Sequence, residues 1–394
     1  MKKLMIVGAS ILQLPAILQA KRMGMEVAVA DFNPQAVGIP YADRYYNCST
    51  IDELGLLEAV RDYCPDGIMT TATDMPMRAI AYVCEQTGLR GIDARCARNC
   101  TDKAVMIRCF ESFGVPAPRY AEIASKRDLE RLANDLPYPC ILKPADNSGS
   151  RGVYLARDAA DALQHYAYTQ ASSRNGVILA EEFMHGREIS VETFVCDGKA
   201  VVLQLTDKQT SGAPHFVETG HSQPSTLARE TQDRVREIAQ QACDAVGLTN
   251  GPAHIEMMVT PEGPKLVEMG ARMGGDCITS HLVPLSTGID MIEATIRQCV
   301  GEAVDLEPKY EKASAIVFLS AAEGVIREIR GVDDAKRADG VRAVEFFKQI
   351  GDRAVSVHSS ADRVGYVVAQ ADTPQRAMQI CELAAKKIQI VTEV

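Results

Sequence analysis

Residues 251–272 read GPAHIEMMVTPEGPKLVEMGAR, two runs of alternating character joined at Pro261, Glu262 and Gly263. The alternation predicts two antiparallel strands, and the Pro-Glu-Gly step predicts a hairpin turn between them. A turn centred on Glu262 sets Glu256 directly opposite Glu268, on the same side of the ribbon. Carboxylates opposed in this way sit about 4.5–5.5 Å apart and destabilise a sheet by repulsion. A cation should offset that, and Mg²⁺ held by one or two carboxylates and by phosphate oxygens would do so. Neutralising one of the two acids is expected to leave the fold intact and to relieve the repulsion. His254 and Arg272 share the parity of the glutamates, so one face is expected to present all four side chains. A solvated polar face is the competing reading.

Three further stretches frame the hairpin. At 143–153, KPADNSGSRGV lies between apolar runs and is longer than a tight turn requires. Its small residues let backbone N–H groups approach an anion, and Lys143 and Arg151 place charge at either end. A solvated hairpin tip fits the same composition. At 99–118, NCTDKAVMIRCFESFGVPAP predicts a helix capped by Thr101, with Gly114 beyond its end. Lys103 then falls in the first turn, where a cation opposes the helix dipole unless an anion such as phosphate lies beside it. At 178–192, ILAEEFMHGREISVE predicts a strand carrying Glu181 and Glu182. A link through Phe183 and Met184 follows, then a turn at Gly186, and Glu188 enters the next strand. An apolar pair between spaced carboxylates can grip a purine and a ribose; an ordinary hairpin with solvent glutamates explains the letters equally.

The N-terminal part has a different texture. KLMIVGA, EVAVADF and DGIMTTA are buried-strand runs that alternate with the helical segments ILQLPAILQAKRMG and MPMRAIAYVCEQTG. This predicts a doubly wound α/β start with a parallel sheet. The first turn, GASILQ, lacks the G-x-G-x-x-G of a dinucleotide site, and Asp31 reads as a strand-end cap. A G-x-x-x-x-G-K-[ST] loop is also absent from the sequence, which excludes the Walker class. Further on, LARETQDRVREIAQQACDAVG puts Val235, Ile238, Ala242 and Val246 on one helical face. Asp197-Gly198 marks another hairpin. DLEPKYEKA near residue 305 reads as a linker, and residues 313–394 follow a βαβ-type pattern. The expected division is an N-terminal α/β domain over 1–98, a central domain over 99–305 and a C-terminal α+β domain over 306–394.

Composition limits the function classes. At 394 residues, 46% apolar and 24% charged, the chain is of multidomain globular type, neither disordered nor fibrous. A net charge of −10 argues against nonspecific nucleic-acid binding, which needs a basic surface. It leaves room for an anionic small ligand at a local basic cluster. The 12 cysteines are scattered singly, without a C-x-x-C pair. They read as small buried hydrophobes in a reducing cytoplasm rather than as disulfides or zinc ligands. Gln13, Pro15 and Gln19 interrupt the apolar N-terminal run, so neither a signal peptide nor a membrane span is expected.

In their order and spacing these stretches resemble the ATP-grasp superfamily, which includes D-alanine–D-alanine ligase, biotin carboxylase and the carbamoyl phosphate synthetase large chain. The likeness covers nearly the full length. GHSQPS (220–225), EMGARMGGD (268–276) and DRVGYVVAQADTPQRA (362–377) make the chain most similar to the carboxylate–amine ligases, including the L-amino acid ligases. The resemblance implies an ATP-grasp fold, α/β and α+β, with a doubly wound N-terminal domain, a central two-part grasp and a C-terminal domain. It implies site roles as well. Lys103 and Lys143 match the two lysines that grip α- and β-phosphate oxygens, and residues 146–152, with Ser148 and Ser150, match the loop that closes over them. Glu181 matches the acceptor for the adenine amino group, Phe183 and Met184 the hinge that reads the purine edge, and Glu188 the ribose-binding glutamate. Glu256 and Glu268 match the acids that hold Mg²⁺ or Mn²⁺, and Arg272 the arginine that stabilises the transferring phosphoryl group. One position departs. Where the family often has asparagine two residues after the second glutamate, this chain has Gly270, which removes a side-chain ligand for a second Mg²⁺.

The activity implied is a two-step ligation. ATP phosphorylates a small carboxylate, an amine attacks the acyl phosphate, and ADP and phosphate leave. The implied partners are ATP, a carboxylate and an amine, amino acids among them, in a cytoplasmic protein without nucleic-acid or membrane partners; a homodimer is compatible with this. Two rivals stand beside it: a biotin-carboxylase-like or purine-pathway enzyme that phosphorylates bicarbonate, and a non-catalytic nucleotide-binding protein. Lys208 in TDKQT and His221 in ETGHSQPS fit either the acceptor side or structural hydrogen bonding, and His254 has no assigned role beyond its place on the hairpin face.

Overall fold

In the computed structural model, which describes residues 1–147, 149, 151–213 and 216–393, the chain forms four sheets. The first is parallel, in the order Arg44–Asn47, Glu26–Asp31, Lys3–Val7, Gly67–Met69. Leu4 through Val7 are wholly buried because the sheet is covered on both faces, which is why the run reads as continuously apolar. Asp31 caps a strand end as read: its carboxylate accepts from the N–H groups of Ala9 and Asn33, both at 2.8 Å.

The second sheet is small and antiparallel, in the order Tyr120–Ile123, Ile178–Glu182, Cys140–Pro144, Tyr154–Ala156. The third has eight strands. Gly263–Gly270, Gly251–Thr260, Arg187–Cys196, Lys199–Thr210 and Glu218–Gln223 are continued by Ala313–Leu319, Gly365–Ala371 and Val341–Phe346. Segment 303–312 contains no helix or strand, yet the ladder runs on beyond it because Gly220–Gln223 pair with Ser314–Val317. A three-stranded sheet of Arg353–Ala354, Gly324–Arg330 and Gln389–Glu393 completes the chain.

Helix Arg229–Val246 covers the large sheet with its apolar face. Val235, Ile238, Ala242 and Val246 are wholly buried and share a core with Val191, Val195, Ala253 and Ile255. Each buried side chain of valine or isoleucine size contributes about 1.5–3 kcal/mol, so this stripe fixes which face of the sheet is left for chemistry. The cysteines are free, with Cys96, Cys100 and Cys243 in that same core. No helix among the described residues is long and apolar enough to cross a membrane.

One helix boundary differs from expectation. Residues 94–112 break into Ala94–Thr101 and Lys103–Ser112, with Asp102 rather than Thr101 as the cap. Asp102 leaves the helical region (φ −123°, ψ 106°), and its carboxylate accepts from the N–H groups of Ala104 and Val105. Thr101 Oγ1 is engaged elsewhere, donating to Ala97 O and accepting from Arg78 Nε, both at 2.7 Å. A carboxylate also complements the helix dipole, which a hydroxyl does not.

Candidate active site

The hairpin brings its two glutamates face to face, by a route different from the one read. The turn pairs Thr260 with Gly263 and Met257 with Leu266. A bulge at Val267 then shifts the register, so that Glu256 faces Glu268 and His254 faces Gly270. Without that extra residue Glu256 would face Val267, and Glu268 would point to the helix-covered side.

The repulsion between these acids is met by lysines. Lys103, the first residue of its helix, pairs with Glu268. Lys208, from Lys199–Thr210, donates to Glu256 at 2.9 Å, pairs with Glu188 and lies 3.6 Å from Glu218. Burial would lower both ammonium pKa values, but the surrounding acids raise them: Glu268 and Asp74 for Lys103, and Glu256, Glu188 and Glu218 for Lys208. Burial would raise the pKa of Glu256, yet Lys208 and His254 hold it well below the usual carboxylate range. His254 bridges Glu192, 2.7 Å from Nδ1, and Glu256, 3.3 Å from Nε2. Burial works against its charge, but Glu192 and then Glu256 push its pKa up to about 9, so it is an imidazolium at neutral pH.

Arg272 completes the face. Its Nε and Nη2 donate to the two oxygens of Asp74 at 2.8 and 2.9 Å, and Nη1 donates to Met273 O at 3.1 Å. A cavity of about 380 Å³ opens beside Asp74, Lys103, Glu268 and Arg272, with Asn147 and Arg174 also in its wall.

The small sheet supplies the other predicted residues. Lys143 Nζ lies 2.8 Å from Glu181 Oε2, both side chains less than a tenth exposed. The pairing of Ile141 with Glu181 and of Lys143 with Leu179 makes them diagonal neighbours on one face. Phe183 and Met184 link this sheet to Arg187–Cys196; the Phe183 N–H donates to Pro139 O at 3.0 Å, and its ring stands edge-on to His185 at 4.8 Å. Gly186 is required at the turn, since a Cβ there would lie 2.1 Å from Val259 O. The Lys103 N–H donates to Ala145 O at 2.8 Å, tying the start of the 146–152 loop to the helix that carries Lys103. Ser148 and Ser150 lie outside the described residues.

Sequence reasoning left Lys208 and His221 between two readings and His254 without a role, passed over Asp74 and Glu192, and quoted the stretches holding Asp276 and Arg363 without singling out either residue. Arg363 donates to both oxygens of Asp276 at 2.9 and 2.6 Å and lies over the Phe318 ring at 3.7 Å. His221 Nε2 is 3.5 Å from Asp276 Oδ2. Burial would raise the Asp276 pKa, and His221 and Arg363 bring it well below the ordinary range. A usable signal existed for Lys208, a lysine inside an otherwise strand-like run. The contacts of Asp74 and Arg363 carry none, because their partners are remote in sequence. Among the described residues, no three His, Cys, Asp or Glu side chains converge as a ready-made metal set.

Comparison with known proteins adds a family context. Residues 136–280 match the ATP-grasp domain, and residues 317–393 match the L-amino acid ligase C-terminal domain 2. The protein y4rH of Sinorhizobium fredii is 29% identical over 325 residues, 81% of this chain and 67% of that one. Alanine–anticapsin ligase of Bacillus subtilis is 28% identical over 262 residues, 60% of this chain and 55% of the ligase. The crystal structure of an L-amino acid ligase from Bacillus licheniformis superposes with a TM-score of 0.86 at 23% identity, covering 100% of this chain and 99% of that one.

Proposed function

The chain belongs to the ATP-grasp superfamily and carries the C-terminal domain of the L-amino acid ligases, and from that premise we propose that it is an ATP-dependent carboxylate–amine ligase. It joins an amino acid or similar small acid to an amine through an acyl phosphate and releases ADP and phosphate. One observation carries this reading. The opposed Glu256 and Glu268 are each neutralised by a lysine, with Arg272 on the same face and a cavity of substrate size beside Glu268, Lys103 and Arg272. Such a face neutralises phosphate charge and positions reactants, which is most of what phosphoryl transfer requires of a protein.

The individual roles follow from the same reading. Lys103 and Lys143 contact the α- and β-phosphates, Glu181 the adenine amino group, Phe183 and Met184 the purine edge, and Glu188 the ribose. In the structure each of these lysines already holds a carboxylate that has a role of its own, Lys143 with Glu181 and Lys103 with Glu268. The site is therefore close to charge-balanced before nucleotide arrives, and binding exchanges partners rather than desolvating bare charges. Ser148 and Ser150 remain part of the proposed closing loop. Glu256 and Glu268 fit a hard divalent cation, Mg²⁺ or Mn²⁺, as a pair of facing carboxylates whose remaining coordination would come from phosphate oxygens and water. Such an ion supplies Lewis acidity at the phosphates when bound.

The test is product analysis. With ATP, Mg²⁺ and a panel of amino acids and small carboxylates, added hydroxylamine should trap a hydroxamate while ADP accumulates. AMP and pyrophosphate would mean attack at the α-phosphorus and an adenylating enzyme. ADP formed with bicarbonate alone would make the carboxylase-like activity the correct one.

A further inference from the structure

Residue 270, two positions after Glu268, is glycine, and the structure supplies a reason. Gly270 does not use a left-handed φ, so backbone conformation does not demand glycine. Space does. A Cβ at 270 would stand 2.7 Å from Asp74 Oδ1, 3.0 Å from Arg272 Nε and 3.1 Å from Arg272 Cζ. The volume that a side chain at 270 would fill is taken by the Asp74–Arg272 fork.

We infer that Asp74 is a positioning residue for Arg272, and that residue 270 is glycine in order to admit it. The geometry of the guanidinium supports this. Asp74 occupies the Nε/Nη2 edge, and Met273 O takes one hydrogen of Nη1. That leaves one N–H on each of Nη1 and Nη2 without an acceptor among the described residues, and the two nitrogens together form the end of the planar group. A carboxylate or phosphoryl group can take that end as a second fork. Without Asp74 the side edge of Arg272 would be open to the glutamates of the same face, and the planar group would turn away from the reacting end.

Asp74 is itself delivered by a pinned loop. Thr70 Oγ1 donates to Val7 O and Thr71 Oγ1 to Leu12 O, both at 2.8 Å. Between these anchors and Asp74, Ala72 holds a left-handed φ of +57°, a conformation costly for a residue with a Cβ and kept only where the surroundings impose it. The N-terminal sheet thus reaches into the site through one carboxylate.

This inference rests on the reading of Arg272 as the group that stabilises phosphoryl transfer, and the test separates the two. Gly270→Ala, Asp74→Ala and the double variant are made in the full-length protein and melted. The pairing predicts that Gly270→Ala lowers the melting temperature, and lowers it less when residue 74 is alanine, because the shortest contact is gone. Strictly additive shifts overturn the pairing, whatever reaction the protein catalyses. The positioning role is read from ADP release with L-amino acids and hydroxylamine. Asp74→Ala should lower kcat about 10²-fold, with the KM for ATP changed by no more than about threefold. Asp74→Asn, which keeps the shape and one acceptor, should recover part of the rate, and it serves alone if Asp74→Ala does not fold. A variant with wild-type kcat, or one whose loss lies wholly in KM, overturns the role. If the wild-type protein releases no ADP with any carboxylate, the ligase reading fails and the positioning role with it, while the melting cycle still decides the pairing.

Discussion

Replacing Lys208 by methionine keeps the apolar stem of the side chain and deletes its ammonium. Lys208 is 3% exposed and meets three carboxylates, Glu256 at 2.9 Å, Glu218 at 3.6 Å, and Glu188. Removing one partner of a buried ion pair costs about 3–5 kcal/mol, most of it the penalty of leaving the other charge uncompensated. Here the three acids keep 20–26% of their side chains exposed and can rehydrate in part. The lower end, about 3 kcal/mol, is therefore expected. At an unfolding entropy of about 2.1 cal/mol/K per residue, a chain of 394 residues melting as one unit should show a fall in melting temperature of roughly 4 °C. The chain has no tryptophan, so calorimetry or far-UV circular dichroism should follow the transition. EDTA must be present, so that no divalent ion takes the place of the ammonium. A variant that melts within about one degree of wild type in EDTA would show that the acids do not need the lysine, and the charge-balance account of the site would be wrong.

Lys143→Ala should weaken ATP binding about tenfold or more by calorimetry, since it deletes a charge-assisted phosphate contact and orphans Glu181; unchanged affinity removes Lys143 from the nucleotide site. Glu268→Gln should abolish turnover with the fold intact. Its melting temperature should fall rather than rise, contrary to the simple repulsion argument, because Lys103 already neutralises Glu268; a rise in calorimetry would reinstate repulsion as the larger effect. Asp276→Asn should show a pH-dependent penalty. The folded pKa of Asp276 lies below its ordinary 3.8, so the carboxylate stabilises above that value and the contribution is lost as pH falls towards the folded pKa. Urea unfolding should therefore give a full penalty at neutral pH and a smaller one at about pH 3, and equal penalties at both would refute the ion-pair account.

How much of this site was legible in the sequence depended on the distance between partners. The facing of Glu256 and Glu268 could be read because both lie in one hairpin, although two small errors cancelled: the turn sits half a residue earlier than a centre at Glu262, and the bulge at Val267 restores the register. Lys143 and Glu181 were each identifiable by their local runs, but not their contact, which depends on the pairing of Cys140–Pro144 with Ile178–Glu182. The helix cap was misplaced by one residue because Thr101 and Asp102 are both good capping residues, and only the side-chain commitments of Thr101 to Ala97 and Arg78 decide between them. The forks of Asp74 with Arg272 and of Arg363 with Asp276 could not be read, although Arg363 lies within the quoted stretch 362–377: each joins residues far apart along the chain, and no local pattern marks a carboxylate or guanidinium for such a role.

The large sheet constrains how this chain can exchange parts with its relatives. Strand Ala313–Leu319 is laced to Glu218–Gln223 by four residue pairs on one side and to Gly365–Ala371 by seven on the other. A cut within 303–312 would therefore nick the protein without releasing a C-terminal piece. A chimera that imports the C-terminal segment of another ligase would insert new strands into the middle of a ladder. Residues 313–316 are buried on both faces, so a donor strand offset by one position would turn every side chain through the sheet. Recombination at the linker is open only to donors that share its pleat, and the three-stranded sheet is bound by the same limit, since its Ile390 packs against the core of Ala313, Ala315 and Val367.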